Sequence, residues 1–207
     1  MPHVVAVVGL TGSGKSELAQ LLADRGYVRV RFGDATDIEL VKRGLPATEA
    51  NERLVREEIR RTHGMGAYAL LNRPRMDEIL ALKKSVVADG LRSWAEFVLL
   101  KEHYGDRMLV VTVHAPPAMR RERLAKRPVR PLTADEVRSR DYAEIEKLDM
   151  GGPIAMAELV VVNDAVMEKL EEAVDLIERE MAARRTLWSF VPSALTSTAF
   201  AAGVFIF

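Results

Sequence analysis

Along the chain, short β-branched apolar runs alternate with longer stretches in which apolar residues recur every three or four positions. Residues 4–8 read VVAVV, a run that predicts a strand covered on both faces. A glycine-rich segment follows, and residues 15–25 then place Leu18, Leu21 and Leu22 at helical spacing. Residues 27–32 alternate like a second strand, and residues 34–43 read as a helix stopped by Gly44 and Pro46. Thr48 opens a charged helix to about residue 63, and residues 65–84 are helical with a break expected at Pro74. A third short strand covers residues 85–88 and ends at Asp89-Gly90; an amphipathic helix spans 93–104, and a fourth strand 108–114. Residues 117–127 form an arginine-rich helix. Thr133 and Glu136 have capping-box spacing for another, running to about residue 149, where Gly151-Gly152-Pro153 ends it. Residues 159–162 give a fifth strand and 166–185 a long final helix.

Strands alternating with helices predict a parallel sheet with helices on both faces. In such sheets ligands bind beyond the carboxyl ends of the strands, where the polar candidates below all fall. The 207 residues suit one domain, here residues 1–185, followed by an uncharged apolar tail, residues 186–207. Lys plus Arg and Asp plus Glu number 30 each, so no global basic field favours nucleic acid and phosphate recognition must be local. With no cysteine, disulfides and thiolate metal sites are excluded, which fits a cytoplasmic setting. The four histidines show no ligand or triad spacing and read as structural.

Gly9-Leu10-Thr11-Gly12-Ser13-Gly14-Lys15-Ser16 matches the P-loop pattern G-x-x-x-x-G-K-[ST] without a mismatch, with a strand entering and a helix leaving. Glycines let the backbone wrap an anion with its N–H groups, and the helix that follows adds free N–H groups and its positive end. Lys15 is suited to the β- and γ-phosphates, and the Ser16 hydroxyl to Mg²⁺. A helix terminus contributes only about 0.3–2 kcal/mol to a nearby anion. Enzymatic rate enhancement needs about 8 kcal/mol or more, so a metal and further cations must converge on the same phosphate.

Asp89, at the end of the third strand, is placed to hold that metal with Ser16; the alternative is a turn-forming Asp-Gly pair. Asp34 follows the second strand and reads as acceptor ligand or base, or as the cap of the next helix. Seven arginines lie between residues 120 and 140: Arg120, Arg121, Arg123, Arg127, Arg130, Arg138 and Arg140. Most are expected on a solvated face with Glu122, Asp135 and Glu136. Arg123 and Arg127, four apart on one helix face, and Arg140 are the candidates for the transferring phosphoryl. An arginine in that role contributes about 10³–10⁵ in rate, or about 4–7 kcal/mol. Arg92 faces the acceptor in this reading, and Asn163 either reads the adenine edge or caps the last helix.

These motifs, with Gly33-Asp34, Asp89-Gly90-Leu91-Arg92-Ser93, Arg140-Asp141 and Val161-Val162-Asn163-Asp164, occur in an order that resembles the archaeal adenylate-kinase-related P-loop proteins, which look like both nucleoside monophosphate kinases and dephospho-coenzyme A kinases. The resemblance covers about residues 3–180. It implies an α/β, adenylate-kinase-like five-stranded parallel sheet, a small arginine-rich lid at about residues 117–150, and binding of ATP and Mg²⁺ at Gly9 to Ser16. Where adenylate kinases carry Asp-Gly-aromatic-Pro-Arg, this chain has Asp-Gly-Leu-Arg-Ser, a departure at the AMP-reading position. Of the Asp-Ala-Asp-like run of dephospho-coenzyme A kinases it has only Asp34, with Asp37 three residues on.

The expectation is therefore a kinase that transfers the γ-phosphoryl of Mg·ATP to a nucleotide-like small-molecule acceptor; a dephospho-coenzyme A-like acceptor is the second choice among kinases. A nucleotide-gated binding protein with little turnover is the competing class. The P-loop reads phosphates and not the base, so ATP and GTP are alike to it. The tail suits either a membrane span behind Arg184-Arg185, packing on the domain or a partner subunit, or a disordered end. None of these motifs encodes an oligomeric state.

Overall fold

The computed structural model describes residues 1–129, 131–164 and 168–189. Five parallel strands form one sheet: β1 (Val4–Val8), β2 (Val28–Arg31), β3 (Val86–Asp89), β4 (Met108–His114) and β5 (Leu159–Val162), in the order β2-β3-β1-β4-β5. The helices are α1 (Lys15–Asp24), α2 (Asp34–Lys42), α3 (Glu49–His63), α4 (Ala67–Ala81), α5 (Trp94–Tyr104), α6 (Pro117–Ala125), α7 (Ala134–Glu146), α8 (Gly151–Ala155) and α9 (Glu168–Ser189). All five expected strands are present. Arg130 and the expected start of the last helix at Val166 lie outside the described residues, as do residues 190–207 of the tail. Among the described residues no helix is long and apolar enough to cross a membrane.

The sheet is buried on both faces because alternate residues of β1 serve two cores. Val4, Ala6 and Val8 pack with Met76 and Leu80 of α4 and Phe97 and Leu100 of α5. Val5 and Val7 pack with Leu18 and Leu22 of α1 and with Val174 and Ile177 of α9. This double demand explains the unbroken VVAVV. A third, small cluster joins Leu124 of α6 to Leu132 and to Val137 of α7, so the α6–α7 connection is pinned by its own apolar contacts.

Two local expectations are corrected. Pro74 does not break its helix: α4 runs through it, losing one backbone donor. Ala67, Tyr68 and Ala69 before the proline and Met76 and Leu80 after it are anchored in the same core, which carries the helix across. Gly151-Gly152-Pro153 is not a simple breaker, because it forms the short helix α8. The cap signal at Thr133 and Glu136 was sound: the two form a reciprocal capping box, and Ser93 with Glu96 forms a second that sequence reasoning missed.

Candidate functional site

The P-loop leaves the carboxyl end of the central strand β1. Gly14 precedes α1 with φ +104°, and a Cβ there would sit 2.1 Å from Asn163 Nδ2. Gly9, φ +137°, has the carbonyl of Val113 where a Cβ would be, at 2.4 Å. Only glycine fits either position, so the loop is clamped between β4 and the segment after β5. Lys15 is buried, and its ammonium donates to the Leu10 carbonyl at 2.9 Å across the loop. Burial, aided by Arg92, lowers its pKa to about 8.

Asp89 closes β3, paired in register with Val7 of β1, so its carboxylate reaches the loop. Ser16 Oγ lies 3.5 Å from Asp89 Oδ2. Hydroxyl and carboxylate oxygens are the hard donors that Mg²⁺ takes, with phosphate oxygens and water completing its shell, so this pair fits the ion.

A cleft of about 430 Å³ runs from the loop past Asp89 to α2, α3 and α4. Its volume lies in the range of small-molecule sites, about 300–1,000 Å³. Arg92, Arg127 and Arg140 line it, as expected, but so do Arg31, Arg56 and Arg60, which sequence reasoning missed. Arg56 is held by Glu49 at 2.7 Å and Glu52 at 3.2 Å, and Arg140 also pairs with Glu49. Arg60 lies over the Tyr68 ring, 5.0 Å from its centroid, with its Nε buried and unpartnered. Burial lowers the pKa of Arg60 and of Arg140, yet a guanidinium stays charged at any working pH. Charged i, i+4 spacing on α3 gave the only sequence signal for Arg56 and Arg60, and it also suits a solvated face.

Other candidates fall differently. Asp34 is not among the residues lining the cleft; it pairs with Arg31 and Arg75, each at 3.3 Å, while Gly33, Thr36 and Asp37 face the cleft. It sits in the first turn of α2, not at its cap. Arg127 lies beyond the end of α6 and so shares no helix face with Arg123. Arg123 donates to Asn163 Oδ1 at 3.1 Å, and Asn163 donates to the Ser13 carbonyl at 2.9 Å. Both ends of that amide contact protein, and through them Asn163 buttresses the loop.

Arg120, expected on a solvated face, is 2% exposed. It holds Asp141 of α7 in a two-pronged pair at 2.7 and 2.8 Å and donates to the Thr11 carbonyl at 3.0 Å. Glu144, one turn on, accepts from the Thr11 N–H at 3.2 Å and hydroxyl at 2.7 Å, and from Arg92 at 2.7 Å. Burial pushes its carboxyl up, but Arg92, Lys15 and Thr11 outweigh that and leave it below the usual glutamate range. The Thr11 N–H is therefore tied to α7 directly and its carbonyl to Arg120 of α6, which Asp141 of α7 holds in turn; α7 is part of the P-loop's support, and the α6–α7 connection is the narrower element over the cleft.

Residues 5–147 match the AAA domain family model AAA_18. A UPF0200 protein of Thermococcus onnurineus is 36% identical over 183 residues, covering 86% of this chain and 98% of that one. The chain belongs to the UPF0200 family. Among solved structures, it is similar to a gluconokinase from Sinorhizobium meliloti, with TM-score 0.55, 20% identity, and coverage of 90% of this chain and 97% of that one. A shikimate kinase from Bacteroides thetaiotaomicron matches with TM-score 0.55, 14% identity, and 87% and 98% coverage. At such identity these two show the fold alone: a P-loop NTPase of kinase-like architecture.

Proposed function

We propose that the protein is a phosphotransferase that binds Mg·ATP on the P-loop and passes the γ-phosphoryl to a nucleotide-like acceptor bearing its own phosphate. The observation that carries this reading is the layout of a single cleft. Lys15, Ser16 and Asp89 line it together with Arg56, Arg60, Arg92 and Arg140, and Arg60 lies over the ring of Tyr68. Guanidinium forks match phosphate oxygens in pairs, and a ring beside them suits a base or other planar group.

In this reading the loop amides and Lys15 hold the β- and γ-phosphates. Mg²⁺, when held by Ser16 and Asp89, neutralises charge on the phosphate oxygens. Arg92 and Arg140 fix the acceptor so that its oxygen faces the γ-phosphorus in line with the departing ADP oxygen. As the new P–O bond forms, the bond to ADP breaks. Arg127, on the α6–α7 connection, adds positive charge to the transferring group. Arg123 acts one step back, through Asn163 and the loop. Asp37, which lines the cleft, is better placed than Asp34 to take a hydroxyl proton if the acceptor offers one.

The test is coupled ADP release by the full chain with Mg·ATP and a panel of nucleoside monophosphates, dephospho-coenzyme A, gluconate, shikimate, or no acceptor. A phosphorylated acceptor should raise the rate at least a hundredfold, and Lys15→Ala should abolish the gain. If ATP binds and no acceptor changes the rate, the nucleotide-gated class replaces the kinase.

A further inference from the structure

The carboxylate of Asp89 already has a cation. Arg29 Nη2 lies 2.5 Å from Asp89 Oδ2, and Arg29 Nε lies 3.1 Å from the same oxygen. Ser16 Oγ faces that oxygen too, at 3.5 Å. Arg29 comes from β2, where it pairs in register with Val87, and its Nη1 is braced by Gln20 Oε1 of α1 at 3.1 Å. Asp89 and Ser16 line the cleft, whereas Arg29 does not. The guanidinium therefore reaches Asp89 from the flank between β2 and α1, outside the lining of the cleft. The side chains are 22% and 7% exposed, so the pair is only weakly screened by water.

A carboxylate attracts a divalent cation through its charge, and here a fixed guanidinium cancels that charge. The pair therefore carries no net charge to draw in a free divalent ion, which is accepted only when phosphates bring negative charge with it.

We propose that Arg29 is a positioning residue that holds Asp89 by Oδ2 and makes metal binding conditional on nucleotide, so that Mg²⁺ enters only as part of a metal–nucleotide complex. This rests on the reading of Ser16 and Asp89 as the metal pair and deepens it. Nothing in it depends on phosphoryl transfer or on the acceptor.

The experiment is a titration of Mn²⁺, read by electron paramagnetic resonance of the free ion, into the full chain with and without saturating ADP. The wild type should bind Mn²⁺ at least a hundredfold more weakly without ADP than with it. Arg29→Gln, which keeps a hydrogen bond to Asp89 but loses the charge, should bind Mn²⁺ alone at least tenfold more tightly than the wild type. Arg29→Lys should stay within about threefold of wild type, the charge being kept. Adding Asp89→Asn to Arg29→Gln should erase the gain. A folded Arg29→Gln protein whose affinity for Mn²⁺ alone is unchanged overturns the proposal, leaving Arg29 a purely structural brace. If the variants fail to fold, the wild type decides: Mn²⁺ binding of similar strength with and without ADP also overturns it. Failure to bind Mn²⁺ even with ADP sinks the metal-pair reading itself, an outcome distinct from both.

Discussion

The pKa of Lys15 has a consequence for ligand affinity. In the free protein its pKa is lowered to about 8, because burial and the nearby Arg92 disfavour the ammonium. A triphosphate favours the charged form and must raise that value. Binding then takes up a proton wherever the free protein is deprotonated, so affinity is highest below pH 8 and falls as pH rises through 8, by at most tenfold per unit from this group. Calorimetry at pH 7 and pH 9 in buffers of different ionisation enthalpy would measure the uptake; an affinity and proton count flat across this range would refute it. Gly14→Ala makes the complementary steric case. The new Cβ would meet Asn163 Nδ2 at 2.1 Å in a backbone with φ +104°. The wild type should gain about 2.7 kcal/mol from ATP at a hundredfold its Kd, or about 5–10 °C in Tm. Gly14→Ala should lose that shift, and a full shift would show that the loop tolerates a side chain. The loop was legible residue by residue because phosphate chemistry fixes both its residue types and its spacing. Arg29, Arg120 and Glu144 were not, because each acts through a partner 60, 21 or 133 positions away. Nothing local marks an arginine as buried.

Elements were read better than their roles. The sheet was legible because parallel strands covered on both faces leave unbroken apolar runs, and the caps because a capping box needs only two residues at fixed spacing. The α7 helix was also found but placed in a lid, since its charged sequence gives no sign that Asp141 and Glu144 face inward. The pairing of Arg120 with Asp141 sets its stability effect: Arg120 is 3% exposed at the side chain and Asp141 20%. Asp141→Asn leaves a buried guanidinium without its counter-charge, which costs about 3–5 kcal/mol. Urea unfolding should show the midpoint falling with the slope unchanged, and nucleotide affinity should fall with it, because Arg120 also holds the Thr11 carbonyl. A loss under 1 kcal/mol would mean that α7 is not anchored as described. Arg138, on the same helix but paired with Asp135 at the surface, is the control: Arg138→Gln should change stability by less than about 0.5 kcal/mol.

At the scale of the whole molecule, the architecture and the P-loop side of the cleft follow from a few motifs on a familiar sheet, while its arginine-lined walls do not. Arg56 and Arg60 from α3, Arg92 from the segment after β3, Arg140 from α7 and Tyr68 from α4 converge only once the chain has folded, and apart from the i, i+4 pair on α3 no sequence spacing links them. The same convergence states which part is able to move. Helix α7 is tied to the P-loop through Glu144 and Thr11, to α6 through Asp141 and Arg120, and to α3 through Arg140 and Glu49, which anchors it to the frame. The α6–α7 connection brings Arg127, Pro131 and Leu132 to the cleft and is held mainly by the small cluster of Leu124, Leu132 and Val137. Local opening is drawn from segments with few buried contacts. Hydrogen exchange should therefore show strong protection of residues 126–129 and 132–133 on addition of a non-hydrolysable ATP analogue, while the amides of α7, already slow, change by less than threefold. Large protection throughout α7 would mean that the whole region from α6 to α7 closes as one lid. The anchoring of Thr11 from both sides would then have to break and re-form in each cycle.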